Sequence, residues 1–423
     1  MEKLAIIGSG ISGLGCVHLL DGRYQISLYE QDDHVGGHAN TVEVDEDGRK
    51  LPVDTGFMVF NRVTYPNLCH LFERLGVVAM PTEMSFSVQH MPSGLEFAGS
   101  SVNHLFAQRR NLINPDFWRL LWEINRFNSE SVAALENGDA RGKSVEEFLL
   151  DGRYDADFRD RYLVPMSAAV WSTPPDRMLE FPAEALIRFF HNHGFLGLNT
   201  QHPWLTLKGG ARTYVSKLLG KTGTTEKIRE RVLKVVRHGR SVEVVTDGGS
   251  RSFDRVVMAA HADQSLAMLD RPDVLEEALL SKFRFLQNRA TLHSDPSFMP
   301  QKKLAWSSWN YRLRVDRDGG LRPMTVYWMN RLQGVSDKQD YFVSINGENE
   351  IPKEHVVKSI DYEHPLFDLE TIRAQERLQE LNHREGDRRV FFCGAWFRYG
   401  FHEDGFASAI ACSRALSDDV NWP

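Results

Sequence analysis

The sequence predicts an α/β protein in which a domain built on a parallel sheet is joined to an α+β domain. Residues 4–7 form an unbroken apolar run that suits a buried parallel strand, and closely spaced glycines and a helical apolar stripe follow it. The same order of strand, glycine loop and helix returns near the carboxyl end, at residues 388–416. Between them, residues 306–346 are rich in aromatic and β-branched side chains, which predicts a second sheet.

The composition predicts a soluble protein with two or three packed regions. The chain has 423 residues, of which 42% are hydrophobic and 25% charged, against a prior of about 150 residues for one domain. Its net charge of −7 disfavours a nucleic-acid partner, which normally requires a basic surface. No run approaches the ~18 apolar residues of a membrane span. We therefore expect a cytoplasmic protein, and peripheral contact with the inner membrane face stays open.

The first glycine motif predicts a phosphate-binding turn. Gly8, Gly10 and Gly13 follow the strand at residues 4–7 and open the first helix. Gly8 allows the tight turn, Gly10 lets the backbone approach a pyrophosphate, and Gly13 lets the helix pack closely on the strand. The backbone N–H groups of Ile11 and Ser12, at the helix start, are then free to bind phosphate.

An acidic residue at the end of the second predicted strand completes this fingerprint. Glu30 follows the strand at residues 24–29, where a carboxylate accepts hydrogen bonds from ribose hydroxyls, and Gln31 comes next. The glycine motif alone fits an unrelated turn equally well. With strand, helix and acid in order, it predicts a Rossmann-like dinucleotide-binding domain, but it does not separate NAD from FAD.

Three further segments favour FAD. Gly36, Gly37 and His38 provide a second close backbone approach, and Asp54, Thr55 and Gly56 are placed to line the flavin or its ribityl chain. Two plain loop turns are the alternative interpretation. The third segment is the loop with Gly394 and Ala395, followed by residues 399–405 and a helix. The start of that helix directs positive potential toward a reduced flavin.

Together these segments resemble the flavin-containing amine oxidase and phytoene desaturase superfamily. The resemblance rests on residues 1–60, the turn at 207–210, residues 231–260 and residues 389–423. Four signatures resemble a bacterial subgroup of predicted NAD/FAD-binding proteins associated with fatty-acid modification and similar to the extra amino-terminal region of plant cyclopropane-fatty-acid synthases. They are Trp306-Ser-Ser-Trp309-Asn310-Tyr311, Tyr327-Trp328-Met329-Asn330, His364-Pro365-Leu366-Phe367 and Tyr399-Gly400-Phe401-His402-Glu403-Asp404-Gly405.

The resemblance implies non-covalent FAD in a discontinuous domain of the amine-oxidase/glutathione-reductase type. That domain comprises residues 1–75, 205–270 and 386–423, and residues 76–204 and 271–385 form the α+β substrate domain. The β-rich runs at residues 232–236, 242–246 and 253–260 predict an antiparallel meander. The resemblance implies that a backbone group near Val232, in this meander, reads the adenine edge. Two positions depart from the superfamily pattern: His38 stands where an Arg is common, and Ala395 where an acid is usual. The complete predicted cofactor set is Gly8, Gly10, Ile11, Ser12, Gly13, Glu30, Gln31, Gly36, Gly37, His38, Asp54, Thr55, Gly56, Val232, Gly394, Ala395, His402, Glu403, Asp404 and Gly405.

Aromatic residues dominate the predicted substrate cavity, which suits an apolar chain or ring. Each of them fits an ordinary core position equally well when taken singly. Two Arg-rich stretches, Arg109-Arg110 and residues 284–314, fit either lipid phosphates or a solvated face. The predicted cavity residues are Asn61, Tyr65, Trp171, Trp306, Trp309, Tyr327, Trp328 and Tyr399.

The candidate acid/base residues are His402 and Glu403, because a carboxylate neighbour would raise the pKa of the histidine. Lys303 is a candidate for the lysine that many superfamily members place beside the flavin, with a solvated charge as the alternative. No metal site is predicted: adjacent residues at 402–404 point apart, and Cys16, Cys69, Cys393 and Cys412 lack metal-ligand spacing. Cys393 ends a strand, which disfavours covalent attachment of the flavin.

Three functions remain open at this stage. The first is an FAD-dependent oxidoreductase that dehydrogenates or otherwise modifies a fatty-acyl chain or another lipophilic substrate. The second is a non-catalytic lipid-binding protein on the same fold, favoured by the departures at His38 and Ala395. The third is an amine oxidase, which the superfamily alone implies. The sequence leaves the electron acceptor and the oligomeric state undetermined.

Overall fold

The computed structural model describes residues 1–197, 200–223, 225–315, 319–347, 350–383 and 388–423. Residues 386 and 387, at the start of the last predicted cofactor segment, lie outside the described residues. The strands are β1 (Lys3–Ile7), β2 (Gln25–Glu30), β3 (Thr41–Glu46), β4 (Arg49–Asp54), β5 (Phe60–Asn61), β6 (Ala79–Thr82), β7 (Phe86–His90), β8 (Leu95–Ala98), β9 (Trp204–Leu207), β10 (Glu226–Arg229), β11 (Val232–His238), β12 (Ser241–Thr246), β13 (Gly249–Phe253), β14 (Arg255–Met258), β15 (Arg284–His293), β16 (Trp309–Val315), β17 (Leu321–Trp328), β18 (Phe342–Ile345), β19 (Val356–Leu366) and β20 (Val390–Phe392).

The helices connect these strands and cover the sheets. They are α1 (Ile11–Leu20), α2 (Pro66–Leu75), α3 (Val102–Leu105), α4 (Pro115–Asn137), α5 (Val145–Asp151), α6 (Ala156–Phe158), α7 (Val164–Trp171), α8 (Pro175–Leu179), α9 (Ala183–Asn192), α10 (Arg212–Lys221), α11 (Ala262–Met268), α12 (Val274–Leu280), α13 (Met329–Gln333), α14 (Leu369–Gln375), α15 (Glu380–His383) and α16 (His402–Leu416). Within the described ranges, no helix has both the length and the apolar character needed to cross a bilayer.

A five-stranded parallel sheet forms the first layer, in the order β10-β2-β1-β14-β20. Its central strand β1 is buried on both faces from Leu4 to Ile7, which explains the unbroken apolar run. Helix α1 is buried almost all round because α16 packs against it on one side and the sheet on the other. The sheet takes strands from three distant segments of the chain, so the first and last βα turns lie at the same edge.

The predicted meander is correct in type and wrong in its third strand. Strands β11, β12 and β13 form an antiparallel three-stranded sheet. The third predicted run, residues 253–260, instead provides β14, which pairs in parallel with β1 and β20. Its residues 256–258 are apolar because β14 is buried on both faces there.

The second layer is a seven-stranded mixed sheet in the order β19-β15-β18-β17-β16-β7-β8. Its neighbouring strands are antiparallel except for β16 and β7, which run parallel. The β-rich region predicted from residue 306 supplies the three central strands of this sheet. Edge strand β19 lies beside the glycine turns, since His364 on it contacts His38 with ring centroids 5.2 Å apart.

Candidate active site

The first glycine turn has the geometry that a pyrophosphate requires. Gly8 has a φ of +102°, and a Cβ there would lie 2.8 Å from the carbonyl oxygen of Ala259. A Cβ on Gly13 would lie 1.9 Å from the carbonyl oxygen of Gly8, so close packing of α1 on the turn requires glycine. Around Gly10, by contrast, a Cβ would meet no described atom within 4 Å, and no side chain caps α1. The helix start therefore offers open N–H groups beside an open space.

Glu30 stands next to this turn, at the end of β2. Its carboxylate accepts hydrogen bonds from the backbone N–H and the hydroxyl of Ser9, and from the N–H of Asp32 at 3.0 Å. A carboxylate has about four acceptor positions. One remains available for a ribose hydroxyl, and Gln31 beside it is exposed.

A second backbone segment lies against the first turn. Gly37 has a φ of +56°, and a Cβ there would lie 3.1 Å from the Cα of Gly10. A Cβ on Gly56 would lie 2.3 Å from the carbonyl oxygen of His38, and Phe57 donates its N–H to that oxygen at 2.7 Å. These glycines allow residues 36–40 and 54–57 to pack closely together at the mouth of the first turn.

The last turn of the chain completes the same site. Gly405, in the first turn of α16, packs against the start of α1, since a Cβ there would lie 2.7 Å from Cγ2 of Ile11 and 2.9 Å from Oγ of Ser12. The same Cβ would lie 3.6 Å from Cβ of Ala395. Glycine turns from opposite ends of the chain thus meet around two helix N-termini. The chain belongs to the flavin-containing amine oxidoreductase family. The profile of this family, described as flavin containing amine oxidoreductase, matches residues 11–329.

Solved structures of flavin enzymes share the fold of this oxidoreductase over nearly its whole length. Putrescine oxidase bound to putrescine is 14% identical, with a TM-score of 0.67, and covers 99% of this chain and 98% of its own. The CLA-producing fatty acid isomerase from P. acnes is 15% identical, with a TM-score of 0.65 and coverages of 96% and 97%. Cyclohexylamine oxidase from Brevibacterium oxydans is 16% identical, with a TM-score of 0.65 and coverages of 98% and 99%. No curated protein matches the chain in sequence.

The family assigns FAD to this oxidoreductase, and two buried polar atoms support the fit. Nε2 of His38 and Nδ1 of His364 are buried and have no hydrogen-bond partner among the described residues. Both rings lie at the glycine turns, where His38 also stacks on Tyr362 at 4.6 Å. Burial lowers the pKa of His38 well below its usual value and that of His364 to about 4, so both rings are neutral near pH 7. Two neutral histidines therefore lie at the glycine turns, and one of them, His38, occupies the position where the superfamily commonly has an arginine.

The side chains of Asp54 and Thr55 form hydrogen bonds within the protein, and their role in lining the flavin stays a prediction. Asp54 accepts hydrogen bonds from Thr41 Oγ1 at 2.5 Å, from the N–H of Ala211 at 2.9 Å and from Gln333 Nε2 at 2.6 Å. It therefore caps the start of α10, and burial raises its pKa to about 6. Thr55 donates to the carbonyl oxygen of Asn40 or bonds the hydroxyl of Tyr362.

The predicted acid/base pair of His402 and Glu403 does not form. The carboxylate of Glu403 accepts the N–H groups of Asn67 at 3.1 Å and Leu68 at 3.0 Å, and the side-chain amide of Asn67 at 2.6 Å. Glu403 therefore caps the start of α2. Its side chain does not pair with that of His402, because consecutive residues of a helix project in different directions. His402 stacks on Phe57 at 3.9 Å, and burial lowers its pKa to about 3. A histidine with that pKa is neutral near pH 7 and does not serve as a proton donor there.

The buried carboxyl of Asp404 is expected to make the free energy of unfolding depend on pH. Its carboxylate accepts the N–H of Phe401 at 3.0 Å, and burial raises its pKa to about 7. The folded protein therefore binds this proton more tightly than the unfolded chain does. The contribution to stability is full below about pH 4 and is lost as the pH rises through about 7. We expect Asp404→Asn to reduce the fall in unfolding free energy between about pH 5 and about pH 8 in denaturant titrations.

The matched control for this prediction is Asp139→Asn, which changes an exposed carboxyl beyond the end of α4. It should leave the pH profile unchanged. A profile that Asp404→Asn does not flatten would show that Asp404 is ionised in the folded protein.

The structure separates Lys303 from the site and corrects that prediction. The residue is exposed, and its ammonium group lies over the Trp306 ring, 5.5 Å from the centroid. The neighbouring Lys302 donates its N–H to Glu96, on β8, at 3.0 Å. Strand β8 is the edge opposite to β19, which carries His364 beside the glycine turns. The solvated-charge interpretation of Lys303 is therefore the correct one.

Three predicted cavity residues come together beside the last turn. Nε1 of Trp171 donates to the carbonyl oxygen of Tyr399 at 3.2 Å. The ring centroid of Tyr65 lies 6.3 Å from that of His193, and the ring centroid of Tyr399 lies 6.2 Å from that of Phe189. His193 and Phe189 stack on each other, so both tyrosines contact the same group of rings. Trp309 and Tyr327 stack at 6.3 Å and pack against the same apolar core.

The other predicted cavity residues do not join them. Tyr327 and Trp328 are neighbours in one strand, so they point to opposite faces of the sheet. Trp328 packs edge-on against Trp306 at 5.2 Å in a separate cluster that also contains Phe342. The side-chain oxygen of Asn61 accepts hydrogen bonds from the N–H groups of residues 63 and 64 and so stabilises a turn.

The sequence interpretation missed several rings of this site. Phe57, Phe189 and Phe401 lie among the predicted residues, and His364 supplies one of the buried polar atoms. Phe57 directly follows Gly56, and Phe401 lies inside the Tyr399–Gly405 signature. Their positions in these motifs were the available signal. Phe189 lies on α9, and no local pattern distinguishes it from a core residue.

Three thiols lie together where α1, the end of β20 and α16 meet, although their sequence positions gave no sign of it. The Sγ atoms of Cys16, Cys393 and Cys412 lie within 4.8 Å of one another, and those of Cys16 and Cys393 are 3.7 Å apart. All three are fully buried, while Cys69 is half-buried and its pKa is raised to about 11 by burial. We expect an aromatic disulfide reagent to label Cys69 slowly in the native protein and all 4 cysteines after denaturation. Rapid labelling of a second native thiol would contradict this packing.

Proposed function

We propose that this FAD-dependent oxidoreductase acts on a lipophilic substrate that carries a fatty-acyl chain and removes hydrogen from that chain. The observation that carries the proposal is a continuous aromatic cluster beside the last glycine turn. It consists of Tyr65, Trp171, Phe189, His193, Tyr399 and Phe401. The division into a cofactor domain and a substrate domain, with this cluster between them, belongs to the same proposal.

The cluster is apolar and closely packed. Phe189 stacks on Phe401 at 4.9 Å and on His193 at 3.9 Å, and it contacts Trp171 at 4.8 Å. Burial lowers the pKa of His193 to about 4, so this ring adds no charge near pH 7. An uncharged surface of this kind excludes water and binds hydrocarbon.

A cationic amine is less well matched to the same surface. The carboxylates of Glu403 and Asp404 lie near Tyr65 of this cluster, and both accept backbone N–H groups. Burial also raises the pKa of Asp404 to about 7, so this group offers only a partial negative charge near neutral pH. The resemblance of four signatures to a subgroup associated with fatty-acid modification supports the acyl substrate over the amine.

The chemistry divides between cofactor and protein. FAD, when bound, would take up both hydrogens removed from the acyl chain, one as a hydride equivalent and one as a proton, as a C=C bond forms. In this proposal the residues of this chain bind the substrate, orient the C–H bond and keep water out, and Tyr399 and Trp171 would do so at the last turn. Gly8, Gly10, Gly13, Glu30 and Val232 are proposed to hold the nucleotide part of the cofactor.

Anaerobic reduction of the bound flavin tests the proposal. We expect the absorbance at about 450 nm to bleach with fatty acids or acyl lipids dispersed in detergent, and to stay unchanged with a panel of primary amines. Trp171→Ala should slow bleaching roughly tenfold or more by removing packing against the acyl chain. Trp328→Ala, on the opposite face of the sheet, is the matched control and should retain the rate. Bleaching by amines alone would establish an amine oxidase instead.

A further inference from the structure

One surface, formed by α3, the following 3-10 turn at Arg109–Ile113 and the start of α4, exposes large apolar side chains. We name it the α3–α4 patch and define it by Val102, Leu112, Ile113, Trp118 and Trp122. Their exposed fractions are 73%, 49%, 88%, 50% and 58%. Trp118 and Trp122 are the only strongly exposed tryptophans among the described residues. Exposure of this kind, concentrated on neighbouring elements, marks an interaction surface.

The patch is a built surface rather than a set of loose side chains. Nε1 of Trp118 donates to the carbonyl oxygen of Leu112 at 3.0 Å, and the Trp118 ring packs on Phe106 at 5.3 Å. Phe106 is itself buried and donates its N–H to the carbonyl oxygen of Val102 at 3.1 Å. Trp118 and Trp122 are one helical turn apart and therefore lie on one face of α4.

Positive charge accompanies the apolar side chains, although the chain as a whole carries −7. Arg109 donates to the carbonyl oxygens of Asn103 and Phe106, and Arg110 to that of Gly94 at 2.8 Å. Within the described residues, neither guanidinium forms an ion pair. Both are exposed at the border of the patch.

We propose that the α3–α4 patch docks on the surface of an anionic lipid bilayer. Tryptophan and aliphatic side chains on short helical turns insert at the boundary between headgroups and acyl chains, and nearby arginines contact lipid phosphates. A second copy of this chain fits less well, because self-pairing would place Arg109 and Arg110 beside their own counterparts. The contact is peripheral, and it does not depend on which substrate the flavin oxidises.

Vesicle co-sedimentation of the full flavin-loaded protein tests the proposal. We expect binding to vesicles of phosphatidylcholine with roughly one-third phosphatidylglycerol, and much weaker binding to phosphatidylcholine alone. The double variant Ile113→Ser, Trp122→Ser should reduce binding roughly tenfold or more. Val274→Ser with Leu233→Ser is its control, since these side chains are 89% and 50% exposed elsewhere on the surface.

A second double variant tests the electrostatic contribution to vesicle binding. Arg109→Gln with Arg110→Gln should reduce binding to anionic vesicles about fivefold for each charge removed and make it less sensitive to salt. Arg271→Gln, whose side chain is 94% exposed, should bind as the native protein does. Absence of vesicle binding, or binding that the patch variants retain in full, would overturn the proposal. A dimer that these variants convert to monomer would assign the patch to a second copy and overturn it equally.

Discussion

Replacing Gly10 with alanine is expected to yield a folded protein that no longer retains FAD. Gly10 has φ −63° and ψ 179°, a backbone conformation that alanine adopts readily. An alanine Cβ would meet no described atom within 4 Å, so the protein itself tolerates the methyl group. The methyl group instead enters the space through which the pyrophosphate reaches the N–H groups of α1. Loss of one charge-assisted hydrogen bond, worth about 1.5–3 kcal/mol, corresponds to roughly tenfold or more in affinity.

Two further variants make this result specific. Gly220→Ala changes an exposed glycine near the end of α10 where a Cβ is equally unhindered, so it should retain FAD. Gly13→Ala should fail to fold, because its Cβ would lie 1.9 Å from a carbonyl oxygen. The measurements are the flavin-to-protein absorbance ratio after purification and the thermal unfolding midpoint of the apoprotein. A Gly10→Ala protein that keeps its flavin would remove the first turn from the cofactor site.

The parallel sheet and its glycine turns were predictable because their causes are local. A strand buried on both faces shows as an unbroken apolar run, as in residues 4–7, and glycine stands where a Cβ would collide, as at Gly13. The match between the first and last turns was also visible, since each follows a strand and precedes a helix. Family membership confirms the fold class and the FAD cofactor.

The roles of polar side chains were not predictable in the same way, because their partners lie far away in the chain. Asp54 ends β4, where a cofactor ligand was predicted, and its carboxylate accepts hydrogen bonds from Ala211 and Gln333, which lie far along the chain. The three buried thiols meet only after α1, β20 and α16 assemble. Trp328 was predicted to line the cavity because the region is rich in aromatic residues. Side chains alternate between the two faces of β17, however, so Trp328 and Tyr327 lie on opposite faces of the sheet.

Replacing Glu403 with alanine is expected to lower the stability of the protein and to leave the chemistry of the site largely unaffected. Glu403→Ala would leave two backbone N–H groups at the start of α2 without their acceptor, and it would break the link between α2 and α16. The side chain is nearly buried, so water replaces it poorly. Losing a charged helix cap with several hydrogen bonds should lower the free energy of unfolding by about 2–4 kcal/mol, measured by denaturant titration.

Glu403→Gln separates the structural role from a catalytic one. Glutamine keeps one oxygen that can accept the hydrogen bonds from Asn67, but its NH2 group replaces the oxygen that accepts from Leu68, and it cannot transfer a proton as a carboxylate does. We therefore expect Glu403→Gln to recover part of the lost stability and to reduce flavin at close to the native rate across the pH range. An acid/base role would instead give a stable Glu403→Gln protein whose reduction rate falls by about a hundredfold or more and loses its pH dependence. The hydrogen bonds of Glu403 to Asn67 and Leu68 favour the first outcome, because they engage both carboxylate oxygens at the start of α2, although burial raises the pKa of this carboxyl above its usual value.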